Sequence, residues 1–277
     1  MSYDTEISRQ NPTAILFVVD QSGSMSDNMS SGTSKAQQVA DVLNKSLFNL
    51  ITRCQKSDGV RDYFEIGVIG YGAGGAYNGF NGSLSSSIIQ PISKIEASPI
   101  RIENRKRKVS DGAGGVVEMN TMFPIWFEAK ASGGTPMKEA MFKVAEELVV
   151  WCDSHINSYP PTILHITDGE STDGDPLAIA NQLKQISTNN GQALMLTLHL
   201  SESVQNPIEF PDTEAVLPNS YSKLLFNMSS LLPRHLADFA REKGFSVSSE
   251  SRGFMFNADA SQIVDFFDIG TKPTQLR

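Results

Sequence analysis

A chain of 277 residues can bury a sizeable core, and it exceeds a typical domain of roughly 100–200 residues by enough for one domain with elaborations. Its 23 basic against 31 acidic side chains leave a net charge of −8, which disfavours a general nucleic-acid binder, since nothing outside a local patch would offset phosphate repulsion. No stretch reaches the length needed to cross a bilayer, and the start from Met1 to Glu6 has no signal-like character, so the chain reads as cytoplasmic, with no membrane partner.

The first element is the apolar run from Ala14 to Val19, which ends abruptly in Asp20-Gln21-Ser22-Gly23-Ser24. This reads as a buried strand delivering hard oxygen donors to a loop at its C-terminal end. Ala36, Val39, Ala40, Leu43, Leu47, Leu50, Ile51 and Cys54 then recur at helical spacing, predicting a long amphipathic helix over 34–55. A second buried strand spans 63–71, and a Gly, Asn and Ser-rich stretch over 72–87 ends it. From 88 to 130 the short apolar segments, Pro91, Pro99, the basic run from Arg105 to Lys108 and the turn Asp111-Gly112 suggest an excursion built on a hairpin. The expected organisation is one domain over 1–277, with an insertion at about 73–130.

Helical spacing returns with Met137, Ala140, Met141, Val144, Leu148 and Trp151, and Thr135-Pro136 reads as a hydroxyl cap followed by proline at the first helical position. The strand 162–167 ends in the acidic loop from Asp168 to Asp175, and Asp175-Pro176 starts a helix carrying Leu177, Ile179, Ala180, Leu183 and Ile186. A strand over 193–200, a long polar loop over 201–220, a helix over 233–243, a short strand at 253–256 and a helix capped by Asp259 complete the chain. Cys54 and Cys152, the only cysteines, fall at apolar helix positions and are expected to be reduced core residues. Alternating strands and helices imply an α/β fold: a doubly wound, mostly parallel sheet flanked by helices, with ligands outside the carboxyl ends of the strands.

Three loops converge on that edge, carrying Asp20, Ser22 and Ser24, then Thr135, then Asp168. Two carboxylates and three hydroxyls suit a small hard cation, and Mg2+ is the expected ion, with Mn2+ or Ca2+ as alternatives. Asp20-x-Ser22-x-Ser24, Thr135 within Ser132-Gly133-Gly134-Thr135-Pro136, and Asp168 within Thr167-Asp168-Gly169 resemble the metal-ion-dependent adhesion site of von Willebrand factor type A domains, in that family's order. The resemblance covers roughly 13–267. It implies a von Willebrand A or Rossmann-like fold in which Ser22, Ser24 and Thr135 supply hydroxyl ligands and Asp20 and Asp168 supply carboxylates bound directly or through water. It also implies a non-catalytic protein-interaction module, whose partner completes the metal shell with an acidic residue. The chain further looks similar to bacterial stand-alone members of the tellurium-resistance type, which implies stress-response or phosphorylation signalling and kinase or phosphatase partners. The 115 positions from Asp20 to Thr135 are long for the family, and the excess maps to the insertion.

Other readings fare worse. Gly70-Tyr71-Gly72-Ala73-Gly74-Gly75 satisfies G-x-G-x-x-G, but Tyr77-Asn78-Gly79 follows where a dinucleotide site needs a helix N-terminus. The loop from Asp168 to Asp175 fails as an EF-hand, because a register with Gly174 at the glycine position leaves Gly169 and Ala180 at ligand positions. The four histidines are scattered and read as structural or surface residues. A dehalogenase-like phosphatase would need a second acid where Ser22 stands. Two alternatives stay open: a metal-dependent phosphohydrolase drawing on Asp27, Glu170 or Asp173, and an adaptor subunit of an ATPase or chelatase-like assembly. The chain has no G-x-x-x-x-G-K-[ST] of its own.

Overall fold

A computed structural model describes residues 3, 5–110, 115–201 and 206–272. The run at the start of the domain forms β1 (Thr13–Gln21), buried at all nine positions. It alternates between two cores: Ile15, Phe17 and Val19 face one layer of helices, and Ala14, Leu16 and Val18 face the other. An apolar run without polar alternation is what a strand covered on both faces requires.

α1 (Lys35–Cys54) leads to β2 (Phe64–Gly72), which pairs parallel to β1. The glycine-rich stretch expected to be loop instead contains an edge strand, β3 (Gly75–Asn78), antiparallel to the second half of β2. β4 (Ile89–Pro91) covers the first half of the same edge and runs into the short helix α2 (Ile92–Glu96). Low strand propensity hid β3 in the sequence, and pairing with β2 supplies what propensity does not. β5 (Arg101–Ser110) and β6 (Val116–Ile125) form a long antiparallel ribbon, paired with each other and not with the main sheet. The expected turn at Asp111-Gly112 lies outside the described residues.

α3 (Met137–Ser154), β7 (Thr162–Thr167), α4 (Leu177–Leu183) and β8 (Leu194–Leu200) follow as expected, with α4 ending three residues short of Ile186. The segment expected to be loop over 201–220 includes a short edge strand, β9 (Ile208–Glu209). It runs into α5 (Ser220–Met228), a helix the sequence analysis missed. Its signals are present: Asn219 and Ser222 form a reciprocal capping box, and Tyr221, Leu225 and Met228 share a buried face. α6 (Arg234–Glu242), β10 (Phe254–Ala258) and α7 (Ala260–Gly270) complete the chain, and the Asp259 side chain caps α7 through Ser261 and Gln262 N–H.

The strand order is β9-β10-β8-β7-β1-β2-β3, with β4 also on β2. The five strands from β10 to β2 are parallel, and antiparallel strands close both edges. This is the doubly wound, mostly parallel α/β fold expected, with α1, α6 and α7 on one face and α3, α4 and α5 on the other. The chain moves outward from β1 to β2 on one side and later resumes at β7 on the other. The switch point therefore lies between the C-terminal ends of β1 and β7, where the crevice of such sheets opens.

Candidate metal centre

Asp20 is the penultimate residue of β1 and is fully buried. Its Oδ1 accepts the Ser22 backbone N–H at 2.8 Å, and its Oδ2 accepts the Thr167 hydroxyl at 2.7 Å. Burial pushes the Asp20 carboxyl up to about 6, and the nearby Asp168 charge adds to this, while the bonds from Ser22 and Thr167 pull the other way. Ser22 Oγ and Ser24 Oγ lie 3.2 Å apart, and Ser24 Oγ donates to Asp168 Oδ1 at 2.8 Å. Asp168, the residue after β7, has a fully buried side chain whose Oδ2 accepts from Lys35 Nζ at 2.9 Å. Asp20, Ser22, Ser24 and Asp168 thus form one hydrogen-bonded cluster at the switch point.

Thr135 joins by backbone crossings. Ser132 N–H donates to Gln21 O at 2.8 Å, Gly23 N–H to Gly133 O at 2.9 Å, and Ala73 N–H to Ser132 O at 2.8 Å. Two glycines make the approach feasible. A Cβ on Gly72 would fall 2.6 Å from Gln21 O, and Gly133, at φ +78°, would bring one to 2.6 Å from the Ala73 backbone. Gly72, one of the glycines that suggested a dinucleotide fingerprint, therefore acts with Gly133 to let three backbones cross.

Thr135 does not cap α3, contrary to expectation. Pro136 occupies the N-cap position, and Asp173 caps the helix from the neighbouring loop, accepting Lys138 N–H at 3.0 Å and Glu139 N–H at 2.8 Å. A side chain reaching across from another loop is invisible to local capping rules. Thr172 Oγ1 accepts Thr135 N–H at 2.9 Å, and Thr172 N–H donates to Thr135 O at 2.9 Å. These bonds hold the Thr135 backbone. A Cβ on Gly169 would sit 3.5 Å from Thr135 Oγ1 and 3.8 Å from Ser24 Oγ, so both hydroxyls lie beside Gly169.

The donor set fits a hard divalent ion: carboxylate and hydroxyl oxygens come from three loops, and a lysine ammonium sits beside one of the carboxylates. Among the described residues no three His, Cys, Asp or Glu side chains gather into a metal cage. A centre here would rely on hydroxyls beyond its two carboxylates.

Tyr71 and Tyr221 underlie the site. Tyr221, on the helix missed in sequence, donates to Gly169 O. Tyr71 OH lies 2.8 Å from His165 Nε2, and its pKa is raised first by burial and then by the Asp20 charge. His165 is fully buried and held near 3 by desolvation, so it is neutral and structural. Among the possible general bases, Asp27 is half-exposed 3.8 Å from Lys35 Nζ, and Glu170 is exposed. Asp173 is filled by its two backbone bonds and the Ser171 hydroxyl. Burial raises the Asp173 pKa, but those bonds outweigh it and bring the value below the usual carboxylate range, which suits a cap and not a base. In the basic run, Arg105 pairs with Asp41 and Glu103, and Lys106 with Glu118; the Arg107 and Lys108 side chains lie outside the described residues.

No family model matches this sequence, and no curated protein does. Similar solved structures include the manganese-loaded TRAP protein of Plasmodium vivax, at 13% identity and TM-score 0.41, covering 93% of this chain and 72% of that one. The pilus adhesin SpaC from Lactobacillus rhamnosus GG is similar at 14% identity and TM-score 0.44, covering 94% of this chain and 31% of that one. The vWF domain of the type V pili tip protein Mfa5 from Porphyromonas gingivalis is similar at 14% identity and TM-score 0.37, covering 93% of each chain. This chain thus spans under a third of SpaC.

The cytoplasmic expectation is corrected by these findings, since pilus adhesins and pili tip proteins recur among the similar structures. Cys54 and Cys152 lie in separate cores on opposite faces of the sheet, so they cannot pair whichever compartment the protein occupies. Among the described residues no helix is long and apolar enough to cross a membrane.

Proposed function

We propose that this protein is a non-catalytic, divalent-cation-dependent protein-interaction module of the von Willebrand A type, in which Asp20, Ser22, Ser24, Thr135 and Asp168 hold Mg2+. The observation that supports it best is the hydrogen-bonded cluster of Asp20, Ser22, Ser24 and Asp168 at the switch point, with Thr135 Oγ1 and Ser24 Oγ both beside Gly169. When bound, the ion supplies a Lewis-acidic position for an oxygen from outside the chain. Ser22, Ser24 and Thr135 donate neutral oxygens and Asp20 and Asp168 anionic ones, and a partner's carboxylate supplies the hard oxygen for the open position. Crossed backbones at Gly72 and Gly133 hold the three loops in place, so little ordering is left for binding to cost.

The test is calorimetric titration of Mg2+ and Mn2+ into the wild-type protein and Asp20→Ala, with pull-down of partners in Mg2+ or EDTA. The expected outcome is saturable uptake by wild type alone, with partner capture lost in EDTA. Equal capture in EDTA, or by Asp20→Ala, overturns the reading.

A further inference from the structure

Lys35 is the first residue of α1, a position where a cation opposes the helix dipole. Its side chain is only 6% exposed, its Nζ is 2.9 Å from Asp168 Oδ2 and 3.8 Å from Asp27 Oδ2, and its backbone N–H donates to Asp27 O at 2.9 Å. The Asn28–Ser34 bridge closes the loop on either side, and the Ser34 hydroxyl accepts Gln37 N–H, so the ammonium is presented to the site from a fixed base. A buried lysine at the unfavourable end of a helix gains nothing from that helix. Its placement makes sense in relation to Asp168.

We propose that Lys35 is a built-in counter-cation that sets the charge of the metal centre, weakening its hold on the ion while strengthening its demand for an anionic partner oxygen. This rests on the metal reading above. With Asp20 and Asp168 ionised, the ligand set carries two negative charges, and Lys35 reduces the sum to minus one, Asp27 being half-exposed and screened by solvent. A divalent ion bound to that set leaves a net charge of plus one, which a partner carboxylate neutralises. Without Lys35 the same ion would be neutralised by the protein alone, and the outside carboxylate would lose its electrostatic incentive. The two affinities therefore move in opposite directions when the ammonium is removed. A lysine serving only to neutralise Asp168 would change stability without that reciprocal pattern.

The experiment compares wild type, Lys35→Gln and Lys35→Arg, by calorimetric titration of Mn2+ and by water-proton relaxation of the Mn2+-loaded proteins titrated with acetate as a carboxylate probe. Lys35→Gln is expected to bind Mn2+ roughly tenfold more tightly and acetate severalfold more weakly, while Lys35→Arg stays close to wild type. Lys35→Gln strands a buried carboxylate, so its melting temperature is also followed, and Mn2+ is expected to raise it more than in wild type. Equal or weaker Mn2+ binding by Lys35→Gln, with wild type still binding, overturns the role of Lys35 and leaves the metal reading standing. Uptake by neither protein overturns both.

Discussion

Asp20 shows at the scale of one residue what a buried carboxylate at the proposed metal site costs a fold. Its carboxylate is fully buried, and its pKa is pushed from 3.8 to about 6, which corresponds to roughly 3 kcal/mol of disfavoured ionisation at neutral pH. Because the folded value lies above the unfolded one, Asp20 contributes stability below about pH 3.8 and loses it as pH rises through about 6. Asp20→Asn removes the charge and keeps an acceptor for the Ser22 N–H, while the Thr167 hydroxyl turns to accept from the new amide. We expect this variant to lose divalent-ion binding and to gain about 1–2 kcal/mol in metal-free stability at pH 7.5, measured by urea unfolding in EDTA. A loss of stability instead would mean that the carboxylate is structural. The five candidate ligands were legible in sequence because each sits in a short motif at a strand end or helix start. Lys35 was not, because its link to Asp168 spans 133 positions and no local pattern announces it. Thr172 and Asp173 escaped for the same reason: their bonds to Thr135, Lys138 and Glu139 join two loops.

Among the elements, the β5–β6 ribbon is the one whose attachment can be tested most directly. The fully buried Asn44, on α1, bonds in both directions where the ribbon returns to the body. Its Oδ1 accepts Trp126 N–H at 2.8 Å and Phe127 N–H at 3.0 Å, and its Nδ2 donates to Ala40 O and Phe127 O, each at 2.8 Å. Trp126 Nε1 adds a bond to Ile95 O. Asn44→Ala would strand two buried N–H groups and is expected to destabilise the protein by roughly 3 kcal/mol, read as a lower urea midpoint. Beyond that clamp, among the described residues, the ribbon's strands pair with each other, Arg101 reaches Glu128, and the half-exposed Arg105 reaches Asp41 on α1. Replacing residues 106–120 by an Asn-Gly turn is therefore expected to leave Mg2+ affinity within about twofold and stability within about 1 kcal/mol. The strands and long helices were readable because burial on one or both faces imposes a pattern. β3 and α5 were not, since a glycine-rich edge strand carries little propensity and α5 follows directly on a polar, proline-containing loop.

For the whole molecule, pH sets buried groups against one another. Burial holds His165 near 3 and, with help from the Lys35 charge, His199 near 4, so both stay neutral in the fold while the unfolded chain protonates them near 6.5. Depressed values of this kind contribute stability above about pH 6.5 that is lost as pH falls toward 4 and 3. Asp20 works in the opposite sense, taking up a proton in the folded state near pH 6, where the unfolded chain does not. Between about pH 4.5 and 6 the unfolded state therefore binds two more protons through the histidines and one fewer through Asp20. The difference of one proton lowers stability by about 1.4 kcal/mol for each unit of acidification. His165→Gln keeps an acceptor for the Tyr71 hydroxyl and removes one titrating group, so its profile in EDTA should be nearly flat across that window. Asp20→Asn removes the opposing group, so its slope should roughly double. Urea midpoints at half-unit pH intervals for the three proteins separate these cases. Parallel profiles would show that these side chains do not set the acid limit of the fold. The ordering Asp20→Asn, then wild type, then His165→Gln would show that the acid sensitivity of the two buried histidines is partly masked by the same carboxylate that the proposed metal centre needs ionised.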